Sequence, residues 1–420
     1  MVDKKNVVLV TIDSIRYDRC GFAGNETVST PTFDRMARQG LNFRDAIAPG
    51  AATPDSVPVT LTGEFPPMKT DNAYLNEWVQ SQSGARQTVA EKFSKRGYTT
   101  GAFTANPWAS RYFGFDKGFD YFEDFFVETD SNRLFSGAIS DDSILVEASR
   151  NVHDWVKGQN MFMSWEAFYD DVTNWTDDAT KPYFMWLFLV DVHVPYYAGS
   201  EYRTQSNLLL LGANLWLFFP KLQSLIAPFD DVLLEAYDNC IRHTDEFLRR
   251  LEQDVSDDDT LIAVHGDHGD EFGELGRYGH GGGLSEPLLH VPFFIHNGPN
   301  VSVDETVSLQ SLPDILLDLA TENTEIGEVS SKWSEQMAVS WIEESVSIRT
   351  SDWKYIHDTS TDTGELYRVD ALAGTEELWK DPPEPLVRGA SQLAESAHRD
   401  RLEKRRIAEA AEATVEDDTL

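Results

Sequence analysis

Three short apolar segments of the sequence are each followed by acidic or imidazole side chains. Val7–Ile12 runs into Asp13, Phe184–Val190 runs into Asp191 and His193, and Leu261–Val264 leads to Asp267 and His268. Because parallel sheets bind ligands at the carboxyl ends of their strands, we expect these side chains to converge. Two carboxylates and an imidazole are donors that a divalent cation accepts. Asp13, Asp267 and His268 are therefore a candidate metal site.

A Thr-Pro pair at Thr53 offers a candidate nucleophile. Thr followed by Pro is typical of a helix N-cap and the first helical position, which predicts a helix that starts at Pro54. The hydroxyl of such a Thr lies where the backbone N–H groups and the positive end of the helix dipole point. That position suits an anion, or an alkoxide held next to a metal. A plain helix cap is the alternative interpretation.

A glycine-rich tract, Tyr278–Gly283, predicts a mobile loop that carries one imidazole, His280. Together with His193, this histidine is of the right type to protonate a leaving group and to hold the oxygens of a transferred group. The alternative is a surface loop whose histidine takes no part in chemistry.

The elements that must position these side chains alternate between short apolar runs and segments of helical period. This alternation is typical of βαβ units and predicts an α/β fold with a parallel sheet. Two further strands are predicted at Tyr98–Thr104 and Val291–Ile295. Helices are predicted from Pro31 to Gly40, from Thr88 to Lys95 and over about 233–252.

The last part of the chain has a different pattern, which predicts two domains, residues 1–340 and 341–420. Three short alternating segments predict a small antiparallel sheet: Ser345–Arg349, Trp353–His357 and Glu365–Val369. Residues 388–412 have the composition of a charged helix, and residues 416–420 that of an acidic tail.

The charge balance excludes some classes of partner. The 420 residues include 71 acidic and 35 basic side chains, which gives a net charge of −36. Such a field repels phosphate backbones and anionic membranes, so we expect no nucleic-acid partner. The same surplus predicts a halophilic protein from an acidic proteome; a strong acid bias in a mesophile is the alternative. Two cysteines, Cys20 and Cys240, are too few for a disulfide framework.

The sequence shows no signal peptide and no transmembrane segment, so we expect a cytoplasmic protein. The most apolar stretch, residues 208–219, is far short of the roughly 20 residues that a spanning helix needs. It is interpreted as a lid, as a dimer patch of a homo-oligomer, or as a buried helical insertion.

Several motifs in order along the chain resemble the sulfatase family of the alkaline phosphatase superfamily. They are Asn6–Arg16, Pro31–Gly40, Leu61–Gly63, Gly97–Thr100, Gly118–Asp120, Asp191–Tyr196, Gly266–Glu271, Trp353–Ile356 and Glu365–Tyr367. The resemblance implies an alkaline-phosphatase-like fold. That fold has a mixed, mostly parallel sheet sandwiched by helices and a small C-terminal antiparallel sheet.

The resemblance also implies roles for individual residues. Asp13, Asp267 and His268 would bind one divalent metal ion (Ca, Mn, Zn or Mg), with Thr53 completing the shell. Counting back from Leu61–Gly63 places Thr53 at the nucleophile. His193 and His280 would surround the transferred group, and Lys69 would bind substrate in place of a histidine of the family.

Departures from the family pattern shape the expected activity. Asp55 and Val57 replace a Pro and an Arg of the nucleophile motif, Ser14 replaces a second metal Asp, and His268 replaces an Asn. Sulfatases of the family oxidise Cys or Ser to formylglycine, and Thr cannot give that aldehyde. Relatives with Thr as nucleophile and Asp-His as ligands act on phosphate or phosphonate esters or transfer phospho-groups.

We therefore expect a metal-dependent hydrolase of sulfate or phosphate/phosphonate esters, acting on a small anionic ester or glycan through Thr53. One alternative is a phospho-group transferase of the same superfamily. Another is a catalytically degenerate member that binds sulfated or phosphorylated glycans; the missing Arg and altered Pro favour it, and the intact candidate ligands oppose it.

Overall fold

The first strand, β1 (Asn6–Ile12), lies in the middle of an eight-stranded sheet. A computed structural model describes residues 4–69, 86–125, 163–217, 229–255, 257, 259–321, 332–333 and 336–417. Within them the other strands of this sheet are β2 (Leu41–Phe43), β4 (Thr99–Thr104), β5 (Tyr121–Asp124), β6 (Tyr183–Leu189), β7 (Thr260–Gly266), β10 (Phe293–His296) and β11 (Val301–Val303). Short strands elsewhere are β3 (Ala46–Ile47), β8 (Glu271–Phe272), β9 (Tyr278–Gly279) and β12 (Val307–Ser308).

The strand order of the sheet is β11-β2-β10-β7-β1-β6-β4-β5. β1 pairs in parallel with β6 and β7, and β4 pairs in parallel with β6 and β5. Only β10 runs antiparallel to its neighbours β7 and β2. The predicted mixed, mostly parallel sheet is confirmed. The pairing brings the carboxyl ends of β1, β6 and β7 to one edge.

Helices cover both faces of this sheet. Accordingly, alternate side chains of β1 belong to two different apolar cores. Val8 and Val10 pack in the core that includes residues of α1 (Pro31–Gln39) and α6 (Asp230–Val255). Val7 and Leu9 pack in the core that includes residues of α3 (Val89–Ser94) and α8 (Leu312–Thr321). Burial on both faces explains the continuous apolar runs from which the strands were predicted.

The remaining helices of the described residues are α2 (Thr53–Thr62), α4 (Tyr169–Asp178), α5 (Asn207–Leu217), α7 (Glu286–Leu289) and α9 (Glu384–Asp417). Local signals place the ends of the helices well. Pro31 lies in the first turn of α1, with Gly40 just after its end, and a capping box between Thr88 and Glu91 starts α3.

A five-stranded antiparallel sheet follows, in the order β13 (Ala338–Ile342), β14 (Ser345–Arg349), β15 (Trp353–Asp358), β16 (Thr363–Asp370) and β17 (Thr375–Leu378). The predicted C-terminal antiparallel sheet is confirmed, with β13 and β17 in addition to the three predicted strands. The domain division after residue 340 stays a prediction; that position falls inside β13. Helix α9 extends through Asp417, so the expected tail does not begin at residue 416, and residues 418–420 lie outside the described residues.

The C-terminal sheet is joined to the main sheet by fully buried ion pairs. The Arg349 guanidinium contacts Asp45 and lies 2.9 Å from Glu286, and the Lys354 amine lies 3.2 Å from Glu286. Burial alone would raise the pKa of Glu286, but Arg349 and Lys354 outweigh it and lower this pKa to about 2. Glu286 therefore stays ionised between its two cationic partners.

The apolar stretch that was predicted at residues 208–219 forms most of α5, and residues 218–219 lie outside the described part. One side of α5 is buried through Leu210 and Ala213, whereas Leu208 is 79% exposed. The Asn214 amide accepts a hydrogen bond from the backbone of Tyr196 at 2.8 Å. The interpretation as a buried helical insertion fits the side of α5 that carries Leu210. The interpretations of this segment as a lid or as a dimer patch stay hypotheses. Among the described residues, no helix is long and apolar enough to cross a membrane.

Candidate active site

Asp13, Asp267 and His268 come together at the carboxyl edge of β1 and β7. One ligand atom from each of these residues lies within 4.8 Å of the others, and all three residues are buried. The His268 Nε2 atom is 3.7 Å from Asp13 Oδ1 and 3.6 Å from Asp267 Oδ2. The parallel pairing of β1 with β7 places Ile12 opposite Gly266, so both strands end at the same level. These three residues thus converge, as expected from the sequence.

The donors of this cluster suit a divalent cation. The His268 Nδ1 atom lies 2.9 Å from the Gly269 carbonyl, which fixes the proton on Nδ1 and leaves Nε2 as an acceptor. Burial and the neighbouring Asp267 raise the pKa of Asp13 well above its usual value. Two buried carboxylates beside an imidazole acceptor are donors that a divalent cation accepts, and such a cation would offset the repulsion between them. Asp13, Asp267, His268 and Thr53 would hold the ion.

Ser14 fixes the orientation of both carboxylates. Its backbone N–H donates to Asp267 Oδ1 at 3.1 Å, and its hydroxyl donates to Asp13 Oδ1 at 2.9 Å. Ser14 has a φ of 62°, in the left-handed region that non-glycine residues adopt rarely. A residue that was expected to replace a metal ligand is therefore a hydrogen-bond donor to two candidate ligands.

Thr53 lies against this cluster at the start of α2. Its Oγ1 donates to Asp267 Oδ2 at 2.9 Å and lies 3.4 Å from His268 Nε2. Thr53 is the first residue of the helix and Ala52 is the N-cap, so the predicted N-cap position is wrong by one residue. Pro54 has no N–H, and the Asp55 N–H donates to the Ala52 carbonyl. Helix N–H groups therefore contribute less to anion binding than the Thr-Pro pattern predicts.

Asn106 was not identified from the sequence and bridges Thr53 and the metal cluster. Its Nδ2 donates to Asp13 Oδ2 at 2.6 Å and lies 3.4 Å from Thr53 Oγ1. The residue follows β4 by two positions. The rule that ligands bind at the carboxyl ends of parallel strands would have found it.

His193 and His280 face the same cluster. The His280 ring centroid is 4.4 Å from that of His268 and 5.0 Å from that of His193. The His280 Nδ1 atom lies 2.6 Å from Asp270 Oδ1, and the Tyr196 hydroxyl donates to Asp270 Oδ2 at 2.7 Å. Asp270 and Tyr196 were not expected from the sequence, and together they orient the His280 ring so that Nε2 is available.

The two histidines differ in charge. Burial lowers the pKa of His193 to about 3, with a further contribution from His280. Burial alone would lower the pKa of His280 as well, but Asp270 outweighs it and raises this pKa to about 9. His268, Asp270 and His280 also form a second group of donors within 4.8 Å that overlaps the first.

Asp191 does not join the site, and the prediction that it converges with Asp13 and Asp267 is wrong. It accepts hydrogen bonds from the Ser164 hydroxyl at 2.6 Å and the Trp165 N–H at 3.3 Å, and lies 3.7 Å from His243 Nδ1. His243 also contacts Glu166. Asp191, Glu166 and His243 thus form a separate group between the end of β6 and α6.

Lys69 is exposed and its backbone carbonyl accepts a hydrogen bond from Arg405 at 3.3 Å. Its charge acts on Asp55, two residues after Thr53. A direct role of Lys69 at the transferred group stays a prediction.

Comparisons with known proteins agree with this geometry. A profile of the sulfatase family matches residues 5–321. A sulfatase from Formosa agariphila is 23% identical over 76% of this chain and 70% of its own length. An arylsulfatase from Clostridium perfringens is 34% identical over 99 residues, 23% of this chain. That match spans only 20% of the clostridial protein.

Solved structures share the fold over nearly the whole chain. The phosphonate monoester hydrolase of Agrobacterium radiobacter has a TM-score of 0.65 at 18% identity, covering 95% of this chain and 96% of its own. A protein in complex with its substrate D-glucosamine-2-N,6-O-disulfate has a TM-score of 0.61 at 15% identity, covering 95% and 98%. An alkaline phosphatase superfamily protein from Vibrio parahaemolyticus has a TM-score of 0.60 at 16% identity, covering 95% and 87%.

The chain therefore shares the fold of these solved structures, one of which is a protein in the alkaline phosphatase superfamily. This chain belongs to the sulfatase family.

Proposed function

We propose that the protein is a metal-dependent hydrolase of phosphate or phosphonate esters in which Thr53 is the nucleophile. The observation that carries this proposal is the position of Thr53 Oγ1, which lies 2.9 Å from Asp267, 3.4 Å from His268 and 3.4 Å from Asn106. An unmodified hydroxyl in contact with candidate metal ligands can attack an ester directly. Formylglycine chemistry has no route from a Thr.

When bound, a divalent cation lowers the pKa of a hydroxyl and neutralises charge on the transferring oxygens. Asp267 accepts the Thr53 proton, and Oγ1 forms a bond to phosphorus while the bond to the leaving-group oxygen breaks. His280, held by Asp270, donates a proton to that oxygen. The Asn106 amide donates to an oxygen of the transferred group. Water then attacks phosphorus and the bond between phosphorus and Thr53 Oγ1 breaks. His280 takes up the proton of the water, Asp267 returns its proton to Oγ1, and phosphate or phosphonate is released.

Hydrolysis of sulfate esters is the second candidate, because relatives of the family are sulfatases and arylsulfatases. It requires that Thr53 attack sulfur without the aldehyde that formylglycine provides. The phosphonate monoester hydrolase among the structural neighbours shares the fold alone, so it favours neither ester.

The test compares wild type, Thr53→Ala and Thr53→Ser on 4-nitrophenyl phosphate, phenylphosphonate and sulfate, each with Mn, Zn, Mg or Ca. We expect Thr53→Ala to lose about 10³-fold or more in kcat, and Thr53→Ser to keep part of the activity, since the attacking oxygen remains. Thr62→Ala, at the other end of α2, is the matched control. Equal rates for wild type and Thr53→Ala would reduce Thr53 to a structural residue.

A clear preference for sulfate that is lost in Thr53→Ala would replace the phosphate proposal with a sulfatase. Turnover only when an acceptor alcohol is present would identify a phospho-group transferase. Stoichiometric glycan binding without turnover of any ester would identify a degenerate binding protein.

A further inference from the structure

Helix α9 of the C-terminal part reaches back to the segment that follows α2. Four cationic side chains, three of them from α9, donate to backbone carbonyls of this segment. They are Arg86 to Glu64 (3.3 Å), Lys404 to Phe65 (3.4 Å), Arg401 to Pro66 (2.9 Å) and Arg405 to Lys69 (3.3 Å). In a chain with a net charge of −36, such a concentration of cations next to the nucleophile helix requires a physical reason.

Arg401 is buried without a carboxylate in contact. Arg401 is 7% exposed, and its guanidinium lies 4.5 Å from the centre of the Trp341 ring. Its Nε donates to Pro66, and among the described residues no carboxylate oxygen comes within 4.0 Å of it. Burial lowers the pKa of Arg401 to about 10, and the charge of Asp55 only partly opposes this. A buried cation with so little compensation is stabilised by an added anion.

Arg401 is also close to the start of α2. The charges of Arg401 and Lys69 both act on Asp55, which lies in the first turn of α2. The Trp341 backbone N–H donates to the Pro49 carbonyl at 2.9 Å, so the strand that carries the ring covered by Arg401 is joined to the loop that leads into Thr53. Arg401 and Lys69 thus lie near the first turn of α2, the helix that begins at Thr53.

We propose that Arg401 and Lys69 form a subsite for a second anionic group, carried by the leaving-group part of the substrate. The preferred substrates are then esters that bear a further sulfate, phosphate or carboxylate besides the group that is cleaved. This inference rests on the proposed function for the ester, and on Arg401 and Lys69 for the anion. Local cations are required because the net field of the chain repels such substrates.

A binding experiment tests the subsite without catalysis. Titration calorimetry measures the affinity of the metal-loaded protein for benzenesulfonate and for benzene-1,3-disulfonate, at the lowest salt concentration that keeps the protein folded. Neither probe is an ester. Wild type should bind the disulfonate about 10-fold more tightly than the monosulfonate, because one additional charge-assisted hydrogen bond contributes about that factor. Arg401→Gln should abolish that difference and leave the monosulfonate affinity unchanged. Equal affinities of wild type for the two probes would overturn the proposal.

The controls separate recognition from folding. Arg399→Gln alters the same helix at a side chain that is 67% exposed and should leave the ratio of the two affinities unchanged. Arg401→Lys, which keeps the charge, should retain part of the preference. Lys69→Gln changes an exposed side chain and should lower the preference about 3-fold, as a weaker ion pair provides. An unchanged ratio in both Arg401→Gln and Lys69→Gln would contradict the subsite.

A kinetic experiment links the subsite to catalysis. For 2-carboxy-4-nitrophenyl phosphate we expect Arg401→Gln to lower kcat/KM by about 10- to 100-fold relative to wild type, with little change for 4-nitrophenyl phosphate. Equal losses on both esters would contradict a specificity role. If wild type cleaves neither ester, the proposed function fails, and the calorimetric ratio still decides the subsite.

Discussion

Asp13 and Asp267 place two carboxylates together in the interior of the protein, and this arrangement would make the stability of the site depend on a bound cation. Without metal each carboxylate raises the cost of ionising the other, which the raised pKa of Asp13 reflects together with its burial. The proposed metal would therefore add stability that the metal-free protein lacks. Metal content and stability report on the same two side chains.

We predict that Asp13→Asn removes the stabilisation by metal. At a metal concentration of 100 times Kd, wild type should gain about 2.7 kcal/mol in the free energy of unfolding, and the variant should gain close to none. In the metal-free protein the variant should melt at or above the wild-type temperature, because one buried charge is gone. Melting with and without metal, and metal content by mass spectrometry, measure both effects.

Asp304→Asn changes a carboxylate that is 67% exposed and pairs with Arg44, so it should behave as wild type in these measurements. Equal metal stabilisation in Asp13→Asn and wild type would show that the ion binds elsewhere.

Sequence reasoning at this scale found the residues whose position follows from the strands. Asp13, Asp267 and His268 follow two paired strands directly, so the topology alone brings them together. Asp191 also follows a strand, but the turn after β6 directs it towards Ser164 and His243, and side-chain direction in a turn has no sequence period.

At the scale of elements, the junction between the two sheets depends on Glu286. This residue starts α7, a few residues after His280, and pairs with Arg349 of β14 and Lys354 of β15. No periodic pattern marks such a junction, because its partners are far apart in the sequence. The prediction of a separate C-terminal part therefore gave no information on how the two sheets are joined.

Glu286 makes the stability of this junction dependent on pH. The folded pKa of about 2 lies below the ordinary value of 4.5, so the carboxylate contributes stability above pH 4.5. That contribution is lost as the pH falls from 4.5 towards 2. Glu286→Gln should cost about 3 kcal/mol at neutral pH, since Arg349 and Lys354 lose the carboxylate they share and keep only Asp45 and Glu376, and should flatten the acid limb.

Denaturant unfolding between pH 2 and 7 measures this effect, with the exposed Glu305→Gln as control. A loss of stability below pH 4.5 that is as steep in Glu286→Gln as in wild type would refute the assignment to Glu286.

The strands themselves were predictable in proportion to their length and burial. β1, β4, β6 and β7 have six or seven residues and are almost fully buried, and their predicted limits differ by no more than two residues from those observed. β3, β8, β9 and β12 have two residues each, which is too short for any period, so only their pairing partners define them.

At the scale of the whole molecule, the net charge of −36 opposes the compact state. We predict that the melting temperature rises with KCl, because the Debye length falls from about 10 Å at 0.1 M to about 3 Å at 1 M. Differential scanning calorimetry from 0.1 to 3 M KCl measures the trend. A melting temperature that is flat, or that rises as salt is removed, would contradict a halophilic protein.

Sucrose at matched osmolality is the control, since excluded osmolytes also favour compact states without screening charge. An equal rise in sucrose and KCl would show that charge repulsion is not the cause.

The central position of β1 has a consequence for synthesis on the ribosome. Its two neighbours in the sheet are β6 and β7. The first of them begins at Tyr183, so 171 residues must be synthesised after Ile12 before that partner strand begins to emerge. At about 5–20 residues per second, that interval lasts roughly 10 to 30 s. Throughout that interval a strand that is fully buried in the folded protein has neither of its partners, which gives nascent-chain chaperones time to bind it.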